Sequence, residues 1–191
     1  MDNTLTTQTA AQFVHEVSHK SHAMAGAVIA LSATQAAALG QACMRISRDE
    51  LDLDHQAIDK QIDRLSKNIR ELLQWCDRDA TAIAEYVALR EAGETLTGQQ
   101  LLCQAPAAIG QISVQVASIL QDFRPCVNER VQDDLEMAIS LLAGTAQAAM
   151  LLLDSNLRIW PEPALLAQFE PIREELATDI DHLSPVDRIR E

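Results

Sequence analysis

The chain of 191 residues is long enough for one domain with a sizeable core, and 28 acidic against 15 basic side chains give it a formal charge of −13. That balance argues against a general nucleic-acid binder and against anionic membrane surfaces, because both need gathered Lys and Arg. Aromatic residues are 3% of the chain and Gly and Pro six each, so the Ala-, Leu- and Gln-rich remainder predicts an all-α fold.

The first predicted helix covers Thr9 to Lys20, with Phe13, Val14 and Val17 on its inner face. His15, His19 and His22 fall opposite at i, i+4, i+7 spacing. They read as a solvated or interface stripe rather than a metal site, since zinc needs three or four ligands and no nearby Cys or carboxylate motif completes the set. From Ala23 to Met44 the chain runs twenty-two positions without a charge, and Met137 to Leu153 has the same character. Ser32, Thr34, Gln35 and Gln41 interrupt the first stretch. Both are therefore expected to be central core helices, not membrane spans.

"RISRDELDLDH" reads as a charged connection, after which Asp54 caps a long amphipathic helix. Its seam is Ile58, Ile62, Leu65, Ile69, Leu72, Cys76, position 79, Ile83 and Val87, alternating by 4 and 3. Position 79 is an aspartate. A carboxylate in an apolar stripe loses solvation unless it finds partners, which makes Asp79 a site candidate. The alternative is that Ala80 takes the core contact while Asp79 turns to an exposed edge or pairs with Arg78 or a neighbouring helix. Asp77 falls off the seam and is expected in solvent.

"EAGETLTGQQ" reads as the clearest loop, and Pro106 as lying near the start of the next helix, which carries Ile109, Ile112, Val116, Ile119, Leu120 and Phe123 inward. Pro125 breaks the chain. The second apolar helix is expected from Asn128 to Asn156, with Asp133 and Asp134 near the positive end of its dipole. A last helix runs from Pro163 to Leu183, burying Leu165, Leu166, Phe169, Ile172 and Leu176. The expectation is one domain over 1–191, a multi-helix bundle with two central apolar helices, a core over 10–182 and a frayed tail at 184–191.

Cys43, Cys76, Cys103 and Cys126 form no C-x-x-C pair, and no signal peptide is evident, so reduced thiols and a cytoplasmic location are expected. Phosphate-loop, dinucleotide, zinc-protease and α/β-hydrolase motifs are absent. An anionic small molecule stays open, provided that arginines such as Arg45, Arg48, Arg78 or Arg130 are gathered locally.

The order of these features resembles the formiminotransferase-cyclodeaminase C-terminal domain family, which includes stand-alone methenyltetrahydrofolate cyclohydrolases. That family has a short helix, a P-G-G-G-S loop and an Ala-rich helix. Aligned from Phe13, Met24, Ala25, Gly26, Ala27 and Val28 fall on the loop, and of its glycines Gly26 is retained. "DATAI" is similar to the family's D-x-x-A-F, placing Asp79 on its aspartate; Pro106 and Ala107 resemble its P-L. Asp133 and Asp134 resemble its S-D, and Asn156 and Leu157 the end of its N-x-x-x-N-L, with Leu152 replacing the first Asn.

The resemblance implies an all-α homodimer acting on a tetrahydrofolate derivative as substrate; no tightly bound cofactor and no metal are expected. It implies either ammonia expulsion from a formimino group on ring closure or water addition to a methenyl bridge. Asp79 would be the catalytic acid/base, since desolvation of a carboxylate suits it to proton transfer. Gly26, Ala27, Val28, Asp134 and Asn156 would contact or orient the substrate. Ala25, Ala27 and Val28 in place of small or hydroxyl-bearing residues hinder close backbone approach to a ligand. Three functions therefore stand side by side: a folate cyclodeaminase or cyclohydrolase, a catalytically inactive binding or regulatory subunit of that family, and a plain helical interaction protein. No nucleic-acid or membrane partner is expected.

Overall fold

The computed structural model describes residues 4–20, 24–51 and 54–190, and within them the chain is helical with short connections. The helices are α1 (Ala10–His19), α2 (Ala25–Glu50), α3 (His55–Glu91), α4 (Thr95–Phe123), α5 (Gln132–Ile159) and α6 (Pro163–His182). Short 3-10 turns at Leu5–Thr7, Arg124–Cys126 and Glu129–Val131 complete the course. The expected helical bundle with two apolar helices is present.

Local chemistry explains the starts. Thr9 accepts from the amide of Gln12 while the Gln12 side chain accepts from that of Thr9, a reciprocal cap that opens α1. Asp54 accepts from the Ala57 amide at 3.2 Å and opens α3. α3 ends at Gly93, whose φ of +84° is a left-handed turn that a side chain would strain.

Three expected boundaries moved. α2 continues through Glu50, because the polar run after Met44 is helix-forming even without an apolar face. The loop expected at 91–100 shrinks to 92–94. Thr95 and Thr97 belong to the first turn of α4, and Gly98 is a packing residue on which Tyr86 lies. Pro106 consequently sits deep inside α4 and buried, not at its start.

The four long helices form the core. α2 runs antiparallel to α3, where Gln41 Nε2 donates to the Ile62 carbonyl at 2.9 Å, and antiparallel to α5, where the Asn128 amide just before it donates to Ser47 Oγ at 2.9 Å. α4 has more buried residues than any other helix among the described residues, so α2 and α5 share the interior with it. α2 and the 129–159 run are long and apolar enough to cross a bilayer. In the bundle 56% and 44% of their most apolar windows are buried, so each gives one side to the core and keeps an apolar outer side. Leu165, Phe169 and Leu176 dock α6 as expected, with Leu166 and Ile172 half-buried.

The edges depart from pattern. α1 buries Phe13, but Val14 is 65% exposed instead of inward. Ile83, near the end of the α3 seam, is also exposed. The expected frayed tail is anchored at its first residue: Leu183 is buried, and Ser184 presents its carbonyl to Arg124 at 2.7 Å. Arg124 also grips both oxygens of the buried Glu136, at 2.8 and 2.7 Å.

Burial pushes the thiols of Cys43 and Cys103 up to about 11 and that of Cys76 to about 12, from an ordinary 9.0; nearby aspartates add to the effect at Cys43 and Cys76. At about pH 8 an aromatic disulfide reagent should label Cys126, which is half-exposed, quickly in native protein, and all four thiols only after denaturation. Above pH 9.0 the unfolded chain sheds thiol protons that the folded chain still holds, so denaturant midpoints should fall as pH rises toward 11. Equal labelling of native and denatured protein would contradict this packing.

Candidate functional site

Asp79 lies where the second half of α3 meets the start of α2. Its Oδ2 accepts the Ala27 amide at 2.7 Å. Met24, at the N-cap position of α2, makes no side-chain cap, so a carboxylate from another helix satisfies one of the free amides. The positive end of the α2 dipole attracts the same group.

This approach depends on Gly26. A Cβ there would lie 2.2 Å from Asp79 Oδ1, closer than any side chain tolerates. Gly26 and Ala27 are buried, Val28 is 37% exposed, and Asp79 itself is half-buried. The positions aligned with a glycine-rich loop are therefore the first turn of α2. Asp79 faces the neighbouring helix, one of the alternatives its place in the seam left open.

Asp77, expected in solvent, is engaged instead. Its two oxygens accept from the Thr6 amide at 3.0 Å and the Thr6 hydroxyl at 2.7 Å, fixing the N-terminal arm. A cleft of about 310 Å³ opens beside it, lined by Thr4, Leu5, Glu16, Lys20, Asp77, Ala80 and Thr81. Lys20 pairs with Glu16 at 2.9 Å across its wall, and Lys20 with Gln8 holds the Glu16 carboxyl below its usual range. No signal in the sequence tied residue 6 to residue 77.

Asn156 lies toward the same end of the bundle, on α5, and its Nδ2 donates to the Leu102 carbonyl at 2.8 Å. The cause is Pro106. A proline inside a helix supplies no N–H to the carbonyl four residues earlier, and Leu102 holds that carbonyl. Asn156 fills the gap from the facing helix, which gives it a structural duty in addition to any contact with substrate.

Asp134 is elsewhere. It is exposed in the first turn of α5, near Cys43, seventeen residues along α2 from Gly26. At ~1.5 Å per residue that is roughly 25 Å from Asp79 within one chain. Its position, with Asp133, suits stabilisation of the α5 N-terminus. His15 and His19 stack with ring centroids 4.0 Å apart on exposed α1, and His22 lies outside the described residues. Among the described residues no three His, Cys, Asp or Glu side chains converge as metal ligands.

Replacing Asn156 with Ala should cost about 1–2 kcal/mol by leaving the Leu102 carbonyl without a donor. With Pro106→Ala, which restores the helical amide, the same change should cost much less. Denaturant unfolding of the four proteins in this cycle measures the difference; additivity would exclude the proposed pairing.

Comparison with known proteins agrees with this architecture. The formiminotransferase-cyclodeaminase family model matches residues 9–175. No curated protein sequence matches significantly. Among solved structures, the formiminotetrahydrofolate cyclodeaminase of Thermotoga maritima superposes with a TM-score of 0.84 at 15% identity, covering 93% of this chain and 92% of that one. At that identity the superposition speaks for the fold alone. With most of its length matched by the family model, the chain belongs to the formiminotransferase-cyclodeaminase family.

Proposed function

We propose that the protein carries out one-carbon folate chemistry of the cyclodeaminase or cyclohydrolase type, with a formimino- or methenyl-tetrahydrofolate as substrate and no tightly held cofactor. The observation that carries the reading is the Asp79 carboxylate held on the Ala27 amide against Gly26. In a cyclohydrolase step, water oxygen adds to the methenyl carbon as its proton passes to Asp79 and the C=N electron pair returns to nitrogen; the bond from that carbon to one folate nitrogen then breaks, with the proton handed back to this nitrogen, leaving a formyl group. In a cyclodeaminase step, the second folate nitrogen attacks the formimino carbon, and ammonia leaves with a proton relayed through the same group. Gly26, Ala27, Val28 and Asn156 border that end of the bundle.

A second reading, a family member without turnover that binds a ligand, is favoured by one feature. The carboxylate already caps α2, and Ala25, Ala27 and Val28 place side chains where close backbone approach would need glycine. Asp79→Asn separates the readings because it keeps an oxygen for the cap and loses the proton acceptor. Loss of methenyltetrahydrofolate near-UV absorbance should slow by at least about a hundredfold in this variant. Equal rates would end the catalytic proposal, while calorimetric binding of a reduced folate without turnover would establish the second reading.

The same reading includes a homodimer in the cytoplasm. Met137, Leu141 and Leu151 are 51%, 54% and 58% exposed, and with Gly144 and Ala148 they form a stripe with 4 and 3 spacing along the outer side of α5. Val28 and Ala38 extend an apolar outer side on α2. Leu151 brings that face toward the end of the bundle where Asp79 lies. Leu141→Glu should convert dimers to folded monomers in sedimentation runs; a wild-type monomer at the same concentration would refute the pairing.

A further inference from the structure

The four arginines that composition left open as anion-binding candidates have separate fates. Arg48 pairs with Asp49 and Asp59, and Arg130 with Glu50. Arg45 is exposed. Arg78 is gathered with other cations. Together with Lys67 and Arg70 it lines a cleft of about 320 Å³ along the outer side of α3, whose other walls are Glu71, Gln74 and Trp75.

Three observations make this cleft more than a solvated helix face. First, Lys67, Arg70 and Arg78 make no ion pair among the described residues, in a chain with 28 acidic side chains to offer. Second, the Arg78 guanidinium lies 4.6 Å over the Trp75 ring, and that ring is itself packed against the core. A guanidinium held on a fixed aromatic face presents its remaining N–H groups with less loss of freedom on binding. Third, the spacing is cumulative: Arg70, Gln74 and Arg78 stand one turn apart in a column, with Lys67 a turn before. One neutral amide and three cations thus face one cleft, with Glu71 as its one acidic wall.

The geometry points to a binding site for a compact polyanion, a small molecule with several phosphate or carboxylate groups, on the outer side of α3. Arg78 and Arg70 grip the anionic groups, Gln74 donates between them, and Lys67 adds charge at one end. This site uses none of the residues assigned to folate chemistry and stands whether or not that reading holds.

Calorimetric titration with inorganic tripolyphosphate and, separately, with citrate at low ionic strength tests it and tells the two sources apart. At least one should bind with a one-to-one stoichiometry. Binding of tripolyphosphate alone assigns the site to phosphates, and binding of citrate to carboxylates. The pair Arg70→Gln and Arg78→Gln should weaken binding by at least about tenfold with the circular dichroism spectrum unchanged. Lys60→Gln with Arg64→Gln removes the same charge from α3 outside the cleft and should have much less effect. Absence of binding by both anions, or equal weakening by the two pairs, overturns the proposal.

Discussion

A carboxylate on one helix lies against the bare backbone at the beginning of another, and the arrangement of this bundle turns on that contact. Asp79 supplies the acceptor that the first turn of α2 lacks in its own sequence, and Gly26 supplies the space. With the Gln41 side chain bonded to the Ile62 carbonyl further along, the contact ties the antiparallel pair α2 and α3 at two points. It also brings the charged group of the α3 seam to a helix N-terminus, where partial positive charge compensates its loss of water. The same few atoms thus serve the packing and form the candidate chemistry, and a substitution there must be read for both.

A second contact works by the same logic from the opposite direction. Pro106 leaves a carbonyl of α4 without its helical donor, and Asn156 of α5 supplies one. In these two places a gap in one helix is satisfied by a polar side chain of its neighbour. Buried polar groups with specific partners tie helices to a single register more strictly than apolar packing alone, because a slip of one turn leaves both groups unsatisfied. At the other end of the bundle Arg124 does similar work, holding Glu136 and the chain after α6 together.

The helices themselves were legible because their apolar periodicity reports burial directly: Ile58, Ile62, Leu65, Leu72 and Cys76 of the α3 seam and the Leu165, Phe169 and Leu176 face of α6 lie inside as the spacing demands, with Ile69 half-buried. Glycine and proline misled. Gly98 and Pro106 suggested a loop and a helix start, whereas one accommodates Tyr86 and the other is rescued by Asn156. Asp79 stood out as a charge in an apolar stripe. Its partner on α2 did not, since a backbone amide leaves no mark in a sequence. For the same reason Asp77 looked like a surface residue: its partner, Thr6, is distant in the chain and chemically ordinary. The family resemblance placed Asp134 in the site by linear order, while helix length carries it to the far end of the monomer.

Asp77 and Asp79 are two residues apart on one helix, so their side chains leave it about 200° apart. One holds Thr6 and the other Ala27. The chain between those two points is therefore a loop fastened at both ends to a single turn of α3, although α1 within it buries little beyond Phe13. A protease that nicked this loop would leave both severed ends still moored.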